Sequence, residues 1–341
     1  MKNTQDLNNS YFNLQNRRYL GNKYKILGFI EDIVREISTS IGTFCDIFAG
    51  TGVVGARFNN QSTSVICNDI LYSNYVCLKT FLNWQNPINS IIKKIDYLNS
   101  VESNDDNYFS LNYGNTYFSI ENAKKIGAIR EHIDIIAENE DEKEILICSL
   151  LYATDKVANT VGHYDAYRKK MDSYQKLKLL IPNVNLKANH NNIVYRKDAN
   201  ALIRSITCNI LYIDPPYNSR QYSDAYHLLE NLAEWKKPIL IGLAKKMDRS
   251  HIKSKYCLAN ANIAFKELIN SANCEFILLS YNNTGEKKDV RSNATISDED
   301  ILTILEKKGN VGVYEKEYKT FTTGKGISYG NIERIFVCKV R

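Results

Sequence analysis

The sequence has no long apolar run. No stretch approaches the roughly 20 residues a membrane helix requires, and the N-terminal MKNTQDLNNS has no apolar signal core. Neither membrane insertion nor export is expected. Repeats and low-complexity tracts are missing too, which argues against a solenoid or a largely disordered chain. A third absence is metal-type cysteine spacing. The eight cysteines (Cys45, Cys67, Cys77, Cys148, Cys208, Cys257, Cys274 and Cys338) include no C-x-x-C pair, so zinc-ribbon and thioredoxin-type sites lose their support. Most lie in apolar runs such as ICNDI, LICSLLY and IFVCKV, where cysteine behaves as a small hydrophobe. A reduced, cytosolic protein without a metal is the expectation.

What is there is ordinary globular material. The 341 residues are 44% hydrophobic and 24% charged, enough for one large domain or one domain carrying an insertion. The net charge of +6, with pI about 8.7, is a weak hint of an acidic partner. Its distribution says more. Residues 236–255 hold Lys236, Lys237, Lys245, Lys246, Arg249, Lys253 and Lys255 against Asp248 alone, an excess equal to that of the whole chain. Such a run reads either as a solvated face or as a surface for phosphates.

Apolar residues recur at helical spacing over 23–40, and residues 71–83 look helical. Short buried-strand candidates are TFCDIFAG, STSVICND, NIVYRKD, CNILYID and EFILLSY. VGVYEKEYKTF and RIFVCKV look like an antiparallel hairpin joined through TTGKGISYGN. Strands alternating with helices predict an α/β sheet. Residues 101–190 interrupt that alternation. They read as a largely helical insertion, with two or three helices expected over 121–180, in IGAIREHIDIIAENEDEKEILICSLLYATDKVAN at 126–159 and AYRKKMDSYQKLKLL at 166–180. The division expected is a main unit of 1–100 and 191–341 with 101–190 inserted.

The segment Asp46-Ile47-Phe48-Ala49-Gly50-Thr51-Gly52-Val53-Val54-Gly55 places G-x-G-x-x-G between a strand and a helix, with Asp69 ending the next strand 19 residues beyond Gly50. Glycines let backbone approach an adenosine ligand, and an acid at the second strand end suits a ribose diol. A nicotinamide-dependent oxidoreductase and an S-adenosylmethionine-dependent methyltransferase both fit. Asp46 favours the second, because a carboxylate there suits an ammonium group and would repel a pyrophosphate.

A second loop separates them. The strand CNILYI runs into Asp214-Pro215-Pro216-Tyr217. Adjacent prolines stiffen the loop and leave its carbonyls free. Asp214 and the Pro215 carbonyl suit the two hydrogens of an exocyclic amine, and Tyr217 suits the ring behind it. A dehydrogenase has no use for this arrangement.

With these motifs the sequence resembles the DNA adenine N6-methyltransferases, in their alpha, Dam-like subgroup of restriction-modification enzymes. Tyr19-Leu20-Gly21-Asn22-Lys23 is similar to the subgroup's N-terminal Y-x-G-x-K element beside the cofactor. FCDIFAGTG resembles the cofactor loop, Asn68-Asp69 the ribose acid, Asp198 the acid meeting the cofactor's adenine, and DPPY the catalytic loop. The resemblance implies a Rossmann-like, seven-stranded, mostly parallel sheet with an antiparallel last strand. The seven strand candidates end near residues 48, 68, 196, 213, 280, 320 and 340, matching that number.

It further implies S-adenosylmethionine held by Tyr19, Lys23, Asp46, Phe48, Gly50, Gly52, Asp69, Asp198 and Asp214. Catalysis would fall to Asp214, Pro215, Pro216 and Tyr217, on an adenine flipped from double-stranded DNA. The inserted region becomes the target reader. Candidate DNA contacts are Asn159, His163, Arg168, Lys169, Arg220, Lys245, Lys246 and Arg249. A cytoplasmic, nucleoid-associated monomer with a cognate endonuclease as genetic neighbour completes the expectation. A methyltransferase acting on RNA or on protein glutamine is the alternative, since both use related x-P-P-Y loops.

Overall fold

The computed structural model describes residues 10–172, 175–216, 219–281, 296–318 and 331–341. After β1 (Tyr11–Phe12), helix α1 (Leu27–Ile37) buries Ile30, Ile33 and Val34, one stripe at three- and four-residue spacing. Two strand–helix units follow: β2 (Thr43–Asp46) with α2 (Val53–Phe58), then β3 (Ser64–Asn68) with α3 (Tyr72–Leu82). Next comes a helical layer of α4 (Asn89–Ser100), α5 (Tyr108–Tyr113), α6 (Ile120–Ile136) and α7 (Glu140–Val157). Asn139 caps α7 through the Glu142 N–H at 2.9 Å, and Glu140, Asp141 and Glu142 put negative charge in its first turn. Then come β4 (Ile181–Pro182), β5 (Ile193–Tyr195), β6 (Thr207–Ile213) and α8 (His227–Glu234). The chain continues through α9 (Ala261–Ser271), β7 (Asn273–Ser280), α10 (Asp298–Glu306), β8 (Gly309–Tyr318) and β9 (Asn331–Val340).

Seven strands form one sheet in the order β5-β3-β2-β6-β7-β9-β8, and β9 alone runs antiparallel to its neighbours, wedged between β7 and β8. This is the mixed α/β methyltransferase-type sheet that the strand pattern and the resemblance predict. Both faces are covered. On β6, Ile210 and Tyr212 enter one core, while Leu211 and Ile213 enter the other with Phe265 and Leu268 of α9. All eight cysteines are free, and seven are buried.

The helical layer is not a detached module. Helix α7 packs on α3, and their side chains share one core. Helix α4 packs on α6 and α7, so this layer begins before residue 101. The helix expected over 166–180 is absent from the described residues there. Asparagine side chains claim its backbone groups instead. Asn122 donates to the Gln175 carbonyl at 2.8 Å and accepts the Leu177 N–H at 2.9 Å, and Asn99 grips Leu179 through both N–H and C=O. The segment is thereby drawn out along α4 and α6, and ends in a parallel pairing of Ile181 with Tyr11. The turn between β8 and β9 lies outside the described residues.

Candidate active site

A cleft of about 1020 Å³ opens where β2, β3 and β6 end, the position an open parallel sheet offers to a ligand. Asn68 fastens its floor. The Asn68 amide donates to the Ile47 and Lys197 carbonyls at 3.1 and 3.0 Å and accepts the Lys197 N–H at 2.9 Å, tying three strand ends together. Gly50 and Gly52 turn the chain with φ of 52° and 80°, where side chains are strained. A Cβ on Gly50 would stand 3.2 Å from the Tyr19 ring, and one on Gly52 would collide with Leu78. The Gly50 N–H donates to Asp69 Oδ2 at 3.0 Å, and the Leu71 N–H holds the other oxygen at 2.9 Å. Burial still lifts the Asp69 carboxyl to about 6.

Asp46 is 1% exposed and lines the same cleft. Its Oδ1 has no hydrogen-bond partner among the described residues. Burial, with Asp214 and Asp69 adding repulsion, pushes this carboxyl well above the usual range. A buried acceptor left open costs stability unless a ligand completes it. An ammonium group would do so, and these residues therefore fit the amino-acid end of S-adenosylmethionine.

Asp214 sits where β6 gives way to the proline loop. Lys23 Nζ lies 3.4 Å from Asp214 Oδ1 and also pairs with Glu333. Burial raises Asp214 to about 6, with Lys23 pulling it down and Glu333 pushing it up. Lys23 thus lines the cleft as expected, but its ammonium is engaged by two carboxylates. Pro216 also lines the cleft, Pro215 is buried, and Tyr217 lies outside the described residues.

Tyr19 stacks with Tyr226 (4.5 Å, 8°) and with Tyr222 (5.3 Å, 12°), whose own centroids are 6.2 Å apart, and its hydroxyl accepts from Asn74 at 3.0 Å. Phe48 meets Tyr256 edge-on at 5.0 Å. Asp198 lines the cleft while capping the Ala201 N–H at 3.0 Å. Sequence reasoning missed Glu333, Tyr222, Tyr226 and Tyr256. Glu333 did leave a signal, an acid inside the apolar strand NIERIFVCKV.

The candidate DNA contacts divide. His163, Arg220 and Lys246 converge on Asp165, at 3.6, 3.1 and 2.8 Å. Burial and the Arg220 charge hold His163 below its ordinary value. Arg249 pairs with Asp224 at 2.6 Å. Lys245 and Lys169 are exposed, as is Arg168, 3.9 Å from Asp172. Asn159 requires a correction. It is 3% exposed, and its amide nitrogen braces the Thr116 and Arg168 carbonyls, each at 3.0 Å. It therefore offers no base-reading edge to solvent.

No helix among the described residues is long and apolar enough to cross a membrane, and no group of His, Cys, Asp or Glu among them could hold a metal. Residues 19–284 match the D12 class N6 adenine-specific DNA methyltransferases. The type II methyltransferase M.NlaIII of Neisseria lactamica is 34% identical over 321 residues, covering 90% of this chain and 93% of the relative. The modification methylase StsI of Streptococcus sanguinis (36%) and the type II methyltransferase M.FokI of Planomicrobium okeanokoites (33%) match 87% and 89% of this chain. The chain spans 47% and 49% of those two relatives, about half of each. None of these matches supports RNA or protein glutamine as the acceptor. From the Y-x-G-x-K element past the D-P-P-Y loop, the chain belongs to the D12 class N6 adenine-specific DNA methyltransferase family.

Proposed function

We propose that the chain transfers a methyl group from S-adenosylmethionine to the 6-amino group of an adenine flipped out of duplex DNA, as the modification half of a restriction-modification pair. The observation that carries this is the buried, open carboxylate oxygen of Asp46 in one cleft with Asp69 and Asp214. Asp46 takes the cofactor's ammonium, Asp69 its ribose diol and Asp198 its adenine, with Tyr19, Phe48, Gly50 and Gly52 as walls. When bound, the cofactor supplies a methyl group already activated on a sulfonium.

The chain's own task is the acceptor, whose lone pair is delocalised into the purine. Asp214 and the Pro215 carbonyl accept the two N–H bonds and favour a tetrahedral nitrogen. The Asp214 carboxylate stabilises the charge that develops there and can take the proton the amine loses. Lys23, fixed by Glu333, orients Asp214. Tyr217 stacks on the extruded base, which recovers about 1–3 kcal/mol of the flipping cost. Residues 101–190 read the target sequence, with Arg168 and Lys169 available to DNA and Asn159 as an internal brace. Residues 1–100 and 191–341 form the catalytic unit. The protein works as a cytoplasmic, nucleoid-associated monomer, with its endonuclease as a genetic neighbour.

Labelled cofactor and unmethylated plasmid DNA test this. Asp214→Ala abolishes transfer while binding cofactor within about threefold of wild type, since Asp46 and Asp69 remain. Retained transfer in that variant would sink the assignment of Asp214.

A further inference from the structure

Between α8 and the cleft, residues 235–249 form a protruding turn. Ile239, Ile241 and Leu243 are 90%, 74% and 89% exposed, although Leu240 between them tucks inward. Such an apolar tip is costly to leave in water. It is nevertheless held firmly. Ile241 and Lys246 exchange two backbone hydrogen bonds of 2.8 and 3.0 Å. Three tyrosine hydroxyls from the helical layer donate to its carbonyls: Tyr108 to Pro238 at 2.9 Å, Tyr117 to Ala244 at 3.1 Å and Tyr113 to Lys245 at 3.4 Å. Asn231 of α8 in turn bonds the Tyr108 and Tyr113 hydroxyls at 3.0 and 2.9 Å. Backbone strain is concentrated here as well. Of the four non-glycine residues with positive φ among the described residues, Trp235, Lys237 and Lys245 (55°, 50° and 51°) belong to this turn.

The turn is rooted on the cleft. Met247 and Leu240 pack with Ile252, Leu71, Ile70 and Tyr222, and the last four of these line the cleft. Lysines flank the tip on both sides, Lys236 and Lys237 before it and Lys245 and Lys246 after it. Lys236, Lys237 and Lys246 pair with Glu234, Glu131 and Asp165, which leaves Lys245 without an ion pair among the described residues at the foot of the tip. An exposed apolar tip of three residues, beside a base-binding cleft and with that cation at its foot, matches a DNA base step better than a flat protein surface. Apolar wedges of this kind enter between base pairs and unstack them.

We propose that Ile239, Ile241 and Leu243 are a wedge that enters the duplex beside the target adenine and holds open the stack from which it leaves. This rests on the base-flipping reading above. The wedge lowers the cost of extrusion and leaves the chemistry of transfer untouched.

The test compares wild type with the combined Ile239→Ser, Ile241→Ser, Leu243→Ser variant. Two duplexes carry the adenine that the wild type methylates, located by sequencing methylated host DNA. In one the adenine is paired, and in the other it faces an abasic position, so little stacking or pairing need be broken. On the paired duplex the serine variant falls at least about tenfold. On the abasic duplex it stays within about twofold of wild type, and cofactor binding is unchanged. Replacing the three residues with Met, which keeps an apolar wedge, retains activity on both. Equal loss on the two duplexes would overturn the wedge in favour of a general contact. No loss on either would overturn it too, and a dimeric wild type that becomes monomeric in the variant would then mark the turn as a protein interface. If the wild type methylates no adenine, the function itself fails and the wedge with it.

Discussion

Asp46 carries a heavy electrostatic burden in the cleft. It is buried, shares its surroundings with Asp69 and Asp214, and has one oxygen unpartnered among the described residues. Burial pushes its carboxyl upward, toward the protonated acid, whereas an incoming ammonium favours the carboxylate. Cofactor binding is therefore expected to release protons rather than take them up. Calorimetry in buffers of different ionisation enthalpy measures this directly. Asp46→Asn should abolish the release and weaken binding, and proton uptake by the wild type would contradict the idea. Residues of this kind were legible because a strand-end acid beside glycines has few other uses. Asn159 was not, because an asparagine suits a base edge and a backbone brace equally well, and only burial distinguishes the two. Glu333 was hidden by distance, its partner Lys23 lying at the other end of the sequence.

Among the elements, helix α3 shows how the cleft is aligned from outside. Its first N–H groups, on Tyr72 and Ser73, donate to the buried Glu230 carboxylate of α8 at 2.7 and 2.8 Å. Glu230 thus fixes the helix three residues after Asp69 and joins α8 to the cofactor side of the sheet. Burial pushes its carboxyl upward against those two N–H groups. Glu230→Ala leaves a buried helix N-terminus unsatisfied and should cost about 2–3 kcal/mol, read as a lower urea midpoint. Glu230→Gln, which keeps an acceptor, should lose less. A midpoint unchanged in the alanine variant would show that the cap contributes nothing. Amphipathic spacing made α1 readable in advance, and apolar runs did the same for the strands. Residues 166–180 misled because their periodicity is helical, while Asn99 and Asn122, distant in sequence, satisfy their backbone.

At the scale of the molecule, activity and stability are set to respond oppositely to acid. Asp69 and Asp214 both stand near 6 in the fold against an ordinary 3.8, so the fold favours their protonated forms. That contribution is fully present below about pH 4 and is lost as the pH rises through about 6. With the role proposed for Asp214, transfer needs its carboxylate and should fall as the pH drops below about 6. Relative to wild type, Asp214→Asn should therefore raise the melting temperature at pH 7.5 and leave it nearly unchanged at pH 4. A stabilisation larger at pH 4 would reverse the sign and refute the account. The whole-chain charge also reads differently in three dimensions. Lys236, Lys237, Lys246 and Arg249 pair with Glu234, Glu131, Asp165 and Asp224. Lys245, Lys253 and Lys255 make no ion pair among the described residues, and the last two line the cleft.

The position of β9 has a consequence for the newly made protein. It slots between β7 and β8, and carries Glu333 to Lys23 and so to Asp214. Until residues 331–340 have left the ribosome, β8 has no partner strand and the pair that orients Asp214 is incomplete. A nascent chain can build its cofactor wall from β2 and β3 well before then. With the roles proposed above, the ability to modify DNA would arrive only after that wall, when β9 enters the sheet between β7 and β8.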